Sequence, residues 1–397
     1  MRKVAIVGVG TVPWRSRYED KTWLALGFEA TKNALDDAHL VKEDIDLAIY
    51  STFCELMLRQ QIMCYIIHEY LGLQAKPSLR TNAAGAADIA SLYTGFCEVA
   101  SGMSDIVLVL AIQKGQDLYC TETRSRGDGF LRGISFALDT TWLQQVVPGT
   151  AALMTAALLI PHMEKYGSPT LEQLARVSVK NHRNALVNPE AQLKIELSLE
   201  DVLNSRIIAW PTTMYQCCLY SDSAAALILA SEEKAKEITD KPIWISGIAE
   251  CSYPSMRFEE RSLGRITGLD IAAHKAYAMA GIMDPVNELD VAEIYDLISG
   301  VEILSYEELS FCGSGEGGRL VEEGIVEKSG ALPVNPTGGR VAAGHVGGVS
   351  AAYSAATVVR QLKEEAGPIQ VPIRRGKGLV DSMDGYGSIC GVAILER

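Results

Sequence analysis

Two stretches of this 397-residue chain decide how the rest is read: TNAAGAADIASLYTGF, Thr81–Phe96, and RVAAGHVGGVSAAYSA, Arg340–Ala355. Each carries AAG at the head of an alanine-rich run that predicts a helix of small residues. Upstream of each lies a second matched pair, ALDDAHLVKEDIDLAIY (Ala34–Tyr50) and AMAGIMDPVNELDVAEIY (Ala278–Tyr295). Both read as helix, short polar turn and acidic-apolar strand, and both end in tyrosine. The shared order predicts an internal duplication, each copy roughly 150 residues or more. The copies fall at 1–240 and 241–397.

Working outward, the first copy alternates strands with helices. Val4–Gly8, Ile45–Tyr50 and Ile106–Ala111 are apolar runs of strand length, and Pro77–Thr81 is a further candidate. Trp23–Ala38 sets Leu24, Phe28, Thr31 and Leu35 on one helical face, and Ala83–Ala100 is a long small-residue helix. The second copy repeats the order with strand Pro242–Ile248, helix Leu269–Ala280 and strand Leu289–Ile294. Such alternation predicts a layered α/β fold. An insert of about 113–220 interrupts the first copy with loops and helices, and inserts of that size usually bind or cover something.

Composition bounds the rest. With 48% hydrophobic and 21% charged residues the chain can bury a large core. A net charge of −13 argues against nucleic acid or an anionic membrane as the main partner, while leaving room for an anionic small ligand on a local basic patch. The nine cysteines form no CxxC, which predicts reduced, mostly buried thiols in a cytoplasmic protein and neither a disulfide framework nor a zinc site. Met1–Gly10 has no signal-peptide layout, and no apolar run reaches the roughly 18 residues of a membrane span. Gly8 and Gly10 are followed by Val12-Pro13, so GxGxxG is incomplete and a dinucleotide fold is set aside.

Further motifs follow in one order: VASGMSDIVLVLA (Val99–Ala111), VKNHRNALVNPEAQ (Val179–Gln192), SDSAAALILASEE (Ser221–Glu233), FCGSGEGGRLVEEG (Phe311–Gly324) and NPTGGRVAAGHVGG (Asn335–Gly348). Each alone is weak. Together they make the chain resemble the thiolase superfamily over essentially its whole length, nearest to the sterol-carrier-protein-type and archaeal thiolases and their non-thiolase relatives. The resemblance implies a five-layered αβαβα fold of two duplicated halves with the large insert in the first. It implies a homodimer or dimer of dimers, a CoA thioester as substrate and no tightly bound cofactor. It also implies an active site where helices starting near Gly85 and His345 meet. Helix N-termini present unpaired N–H groups and a positive dipole end, which suits a thioester oxyanion. Relatives of this branch often pair with a small OB-fold and zinc-ribbon acyl-CoA-associated protein, which here would be another chain.

The resemblance also fixes candidate positions. Aligned through VASG, the nucleophile position falls on Gly85, or on Ala84 if the register slips by one, and no cysteine lies between Cys64 and Cys97. Glycine there is expected to leave space beside the helix terminus for substrate, with Asn82 and Gly344 as contacts. His345 of GHVGG matches the family's GHPxG histidine, a residue type suited to base or donor work near neutral pH. Tyr295 of EIYDLIS stands where many sterol-carrier-type relatives read HDAF, and its hydroxyl can donate to an oxyanion or take a proton. In SMDGYGSICGVAIL, Ser382 falls at the family's second acid/base position. Ser382 and Gly385 are expected to contact substrate, Tyr386 is a further catalytic candidate in the loop lining the site, and Cys390 is expected to be core. Cys54 and Cys120 are substitute nucleophiles of lower rank, and a buried or inert thiol is the better reading of each.

Three functions compete: carbon–carbon bond chemistry of retro-aldol or retro-Claisen type without the usual cysteine, thiolysis by a displaced cysteine or free thiol, and a non-catalytic subunit. The retained His345 disfavours the last.

Overall fold

The strands form where apolar, largely β-branched runs can be buried on both faces. The computed structural model describes residues 2–121, 124, 125, 129, 134, 150–253, 263–385 and 387–397. Its strands are β1 (Val4–Thr11), β2 (Leu47–Ser51), β3 (Ser78–Arg80), β4 (Ile106–Gln113), β5 (Ile207–Ala209), β6 (Thr212–Thr213), β7 (Ser223–Ser231), β8 (Ile243–Ser252), β9 (Val291–Glu293), β10 (Lys377–Met383) and β11 (Ile389–Glu396). The helices that matter below are α1 (Trp23–Ala38), α2 (Met63–Tyr70), α3 (Ala87–Ser101), α4 (Leu171–Val187), α5 (Thr267–Ala280), α6 (Ser299–Glu308) and α7 (Ser350–Leu362).

Nine strands make one sheet in the order β3-β2-β4-β7-β1-β8-β11-β10-β9, while β5 and β6 form a separate hairpin in the insert. In the first half β1 and β4 run antiparallel to β7, and β2 runs parallel to β4 and β3. In the second half β8 and β10 run antiparallel to β11, β9 runs parallel to β10, and Ala292 makes a parallel bridge to Val334. Order and sense therefore repeat about a seam, where β1 meets β8 through Ala5–Trp244 and Ile6–Ile243.

Period-two alternation on these strands sorts the core into layers. Val107 and Val109 of β4 share one cluster with Val380 of β10, Ala393 of β11, Ile89 of α3 and Val358 of α7. Leu108 and Leu110 face the other way, onto Leu26 and Ala30 of α1. Leu379 and Val392 face Leu269 and Ala276 of α5. The stack is helix, first half of the sheet, helix pair, second half of the sheet, helix: the five-layered αβαβα arrangement of two repeated halves. Helix α7 is buried on nearly every side and α3 on all but the face of Tyr93 and Cys97, which explains the small residues where the two meet.

The long helix read at Ala83–Ala100 is split. Ala84–Ala86 is a 3-10 turn and α3 begins only at Ala87. Ala84 sits at φ +46, a left-handed conformation that costs a non-glycine residue about 1–2 kcal/mol and interrupts the α-helical path. In the second copy the helix begins at Ser350, after a left-handed Gly348 at φ +77.

The insert helix α4 starts with a capping box between Thr170 and Gln173 and packs on the second half. Lys180, Asn181 and Asn184 of its KNHRN run are spent on that contact. Lys180 and Glu302 form a fully buried ion pair at 2.7 Å, and Lys180 also donates to the Val334 carbonyl at 2.8 Å. Asn181 donates to both Asp296 and Glu302, Asn184 to the Asn335 carbonyl and Asn188 to the Thr337 carbonyl. Lys180→Met strips Glu302 of its cation in a dry interior. It should lower unfolding stability by about 3–5 kcal/mol in a denaturant titration, and Lys180→Met/Glu302→Gln should recover part of the loss.

Candidate active site

The site is built where the two middle helices begin. The Gly348 N–H donates to the Gly85 carbonyl at 3.0 Å. Asp88, in the first turn of α3, accepts from the Ala351 N–H at the start of α7 at 2.5 Å. One carboxylate thus binds the second helix terminus to the first. Burial pushes Asp88 up to about 6, against the pull of its N–H donors and of Arg340. The GHVGG turn needs its glycines for close approach. A Cβ on Gly347 would lie 2.5 Å from the Phe53 ring and 3.2 Å from the Gly85 Cα.

His345 hangs from this turn, its N–H bonded to the Leu219 carbonyl at 2.8 Å. Its Nδ1 lies 2.9 Å from Ser350 Oγ, whose own proton goes to the Val346 carbonyl at 3.0 Å. With the serine proton assigned to Val346, the serine accepts, Nδ1 is assigned the ring proton and Nε2 the lone pair. That lone pair faces the Tyr295 hydroxyl at 3.4 Å, with the rings edge to face at 5.4 Å. The tyrosine is the donor. Burial and the Arg340 charge push His345 down to about 3, and burial pushes Tyr295 well above the ordinary phenol range. Both groups are neutral at physiological pH.

Carboxylates fix the pair from behind. Asp381 on β10 accepts the Tyr295 N–H at 2.6 Å, and burial pushes Asp381 up to about 7. Asp296 accepts the Arg340 N–H at 2.6 Å and sits inside the turn that leads into GHVGG. A Cβ on Gly339, which is left-handed at φ +61, would strike that carboxylate at 2.2 Å. Burial, then repulsion from Glu302, pushes Asp296 well up. Among the described residues no group of three or more His, Cys, Asp or Glu is arranged to hold a metal.

The structure brings Gly85, His345 and Tyr295 into one region, but it corrects several expectations. The space beside Gly85 is filled: a Cβ there would meet the Asp384 Cα and the Met383 carbonyl at 3.1 Å and the Gly385 nitrogen at 3.3 Å. Gly385 therefore lines the glycine position itself. Gly344 lies under the Trp14 indole, 2.5 Å from a would-be Cβ, which makes it a packing position. Ser382 is fully buried and its hydroxyl has no partner among the described residues. Tyr386 lies outside the described residues. Tyr295 and His345 are buried as deeply as core residues, Tyr295 within the second-half cluster, so neither is dispensable for packing. Asn82 is exposed. With Ala84, Phe53 and Cys54 it lines an open cavity of about 940 Å³. Cys120 and Cys390 are buried. Sequence reasoning missed Ser350, Asp381 and the clamping role of Asp88. Only the serine had a local signal, through its place just after the glycine turn.

A family model for the thiolase C-terminal domain-like family matches residues 250–397. Over its full length the chain is 34% identical to an acetyl-CoA acetyltransferase of Methanothermobacter thermautotrophicus, covering 100% of each. The chain belongs to the thiolase superfamily. It is also 30% identical to the benzoylsuccinyl-CoA thiolase subunit BbsB of Thauera aromatica, over 94% of this chain and 93% of that one. In fold it matches the solved Ltp2-ChsH2(DUF35) aldolase with a TM-score of 0.83 at 23% identity, over 100% of this chain and 98% of that one. This thiolase-superfamily chain thus keeps a buried histidine beside the paired helix termini, where its first-half helix start offers no thiol.

A histidine held neutral in the fold but free to charge when unfolded makes stability fall as pH drops from 6.5 toward about 3. The His345 ring should keep its neutral NMR shift down to about pH 5, where an ordinary imidazole is mostly protonated. His345→Gln should flatten part of the acid-side loss of stability.

Proposed function

We propose that this thiolase-superfamily protein makes or breaks a carbon–carbon bond in an acyl-CoA thioester without a cysteine-bound intermediate. The observation that carries the reading is the neutral Tyr295–His345 pair, phenol donating to imidazole, next to a glycine at the helix terminus. In the cleavage direction the substrate is a 3-hydroxyacyl thioester. Its 3-hydroxyl gives its proton to the Tyr295 oxygen as Tyr295 passes its own proton to His345 Nε2. The C3–O electrons become a carbonyl, the C2–C3 bond breaks, and its electron pair moves onto the thioester as an enolate. The imidazolium, strongly acidic in so dry a place, returns its proton through Tyr295 to C2. Atoms and charge balance with no external reactant. The helix N-termini stabilise the enolate where it develops. CoA is substrate, and no tightly bound cofactor is required.

A second reading has one observation in its favour: Cys54 lines the same cavity as Ala84, which would suit thiolysis through a displaced thiol.

A homodimer along the β3 edge fits this surface. Leu79 on that edge strand, with Ile62 and Tyr65 at the helix packed against it, leaves large apolar groups exposed, and an open strand edge invites pairing. The relative named as a subunit supports a further chain, which we take to be a small OB-fold and zinc-ribbon acyl-CoA-associated protein. All nine cysteines are free, which fits a reducing, cytoplasmic setting.

Tyr295→Phe and His345→Gln should each lower kcat roughly 100- to 1,000-fold with little change in CoA binding. Ser350→Ala should cost less and shift the pH profile, because it frees the imidazole to change tautomer. Cys54→Ala should stay active, and an acyl adduct on Cys54 in intact-protein mass spectrometry during turnover would establish the thiolysis reading instead. In sedimentation, the parent should run as a dimer and Leu79→Asp as a monomer. A dimeric Leu79→Asp would place the interface elsewhere.

A further inference from the structure

The cavity beside Ala84 is larger than proton chemistry requires. At about 940 Å³ it lies at the upper end of small-molecule sites. One end is formed by Asn82 and Ala84, immediately before Gly85. Phe53 separates it from the GHVGG turn, its ring packed on Gly347. Its charged lining is Arg59, Arg80 and Glu55, two cations to one carboxylate. This local positive excess is set in a chain of net charge −13.

One loose ion pair joins these charges: Glu55 accepts the Met63 N–H at 2.9 Å and sits 3.7 Å from Arg80 Nε, too far for a hydrogen bond, which leaves Arg59 as the net charge. That Nε is buried with no hydrogen-bond partner. Arg59 is exposed and pairs with nothing among the described residues. An unsatisfied buried guanidinium N–H is costly, and a bidentate anion is the group that best relieves it.

We infer that this cavity is the acyl pocket and that it selects acyl groups carrying a second anionic group, a carboxylate held by Arg80 and Arg59. The inference rests on the reading above that the protein acts on an acyl-CoA. A thioester carbonyl beside Asn82 and Ala84, just ahead of the first-half helix start, has this cavity as adjoining space for its acyl chain. Gln60 and Gln61 on the same wall give the carboxylate further donors. The anion bound there could also belong to CoA itself, and the experiment separates the two sources.

Calorimetry on the full chain compares adipyl-CoA, its ω-methyl ester, CoA and 3′-dephospho-CoA, none of which carries the reacting 3-oxygen. The parent should bind adipyl-CoA about tenfold more tightly than the methyl ester, as one charge-assisted contact would give. Arg59→Gln, at an exposed position with no fold contact to lose, and Arg80→Gln should each narrow that difference. The double variant should abolish it, with affinities for the methyl ester and CoA unchanged. Equal binding of the two esters by the parent, or a preference that survives in the double variant, overturns the inference alone. Variants that instead lose discrimination between CoA and 3′-dephospho-CoA assign the arginines to the CoA phosphate, which also overturns it. If no thioester and no CoA binds the parent, the acyl-CoA reading falls, and this inference with it.

Discussion

Two helix N-termini meet in the middle of this protein, and a single carboxylate holds them there. Their dipole ends are both positive, so bare approach is unfavourable, and a negative charge between them offsets the repulsion. Asp88 supplies it from the first turn of α3 by accepting the Ala351 N–H of α7. Glycines at 85 and 347 let the two backbones come within contact distance, and the Gly348–Gly85 hydrogen bond closes the junction. Take this contact away and His345 no longer faces the first-half helix start. The sheet order, the small residues of both middle helices and the left-handed Gly348 all serve this geometry.

Behind the junction lies a buried polar network whose carboxyls outnumber its cations. Glu293, Asp296, Glu302 and Asp381 surround Arg340 and Lys180, all of them buried. Burial pushes Glu293, Asp296 and Asp381 up, and Arg340 pulls each of them back. Such a network is high-stakes, because each member left unsatisfied would cost desolvation with no return. What it secures is position: Asp381 fixes the Tyr295 backbone, Asp296 fixes the turn into GHVGG, and Lys180 with Asn181 fastens the insert to both. The 3.4 Å approach of Tyr295 to His345 is the product of those constraints. In the proposed reaction, a neutral acid–base pair in so dry a setting would exchange protons without solvent reorganisation.

Much of the architecture was legible in the chain. The paired AAG runs and the paired strands ending in Tyr50 and Tyr295 reveal the repeat, because a duplicated fold keeps the same burial pattern in each copy. The strand Ile106–Gln113 is apolar up to Ile112 because both faces are covered, so it stands out in any reading. Less could be said of the site. The KNHRN run marked an insert, yet its Asn181 and Asn184 bind the second half of the same chain, across separations of more than a hundred residues. Asp88 read as a polar neighbour of an alanine run, since nothing local announces that its carboxylate reaches Ala351. Gly85 suggested open space because the sequence shows a missing side chain but not the Met383–Gly385 backbone that fills the gap.

The sequence by itself determined the layered repeat, the absence of a thiol at the helix start, and the presence of a histidine in a glycine turn and a tyrosine at a strand end. These are properties of residue type and local spacing, which short-range sterics and burial periodicity translate directly. Only the tertiary structure decided that His345 Nδ1 meets Ser350 while Nε2 meets Tyr295, and that both groups are neutral. Those facts depend on Ser350, Arg340 and the depth of burial. The charge imbalance of the Arg59–Arg80 cavity was likewise hidden, because β3 and the segment before α2 come together only when the sheet closes. Long-range contacts set protonation and charge, and a linear order of residues does not contain them.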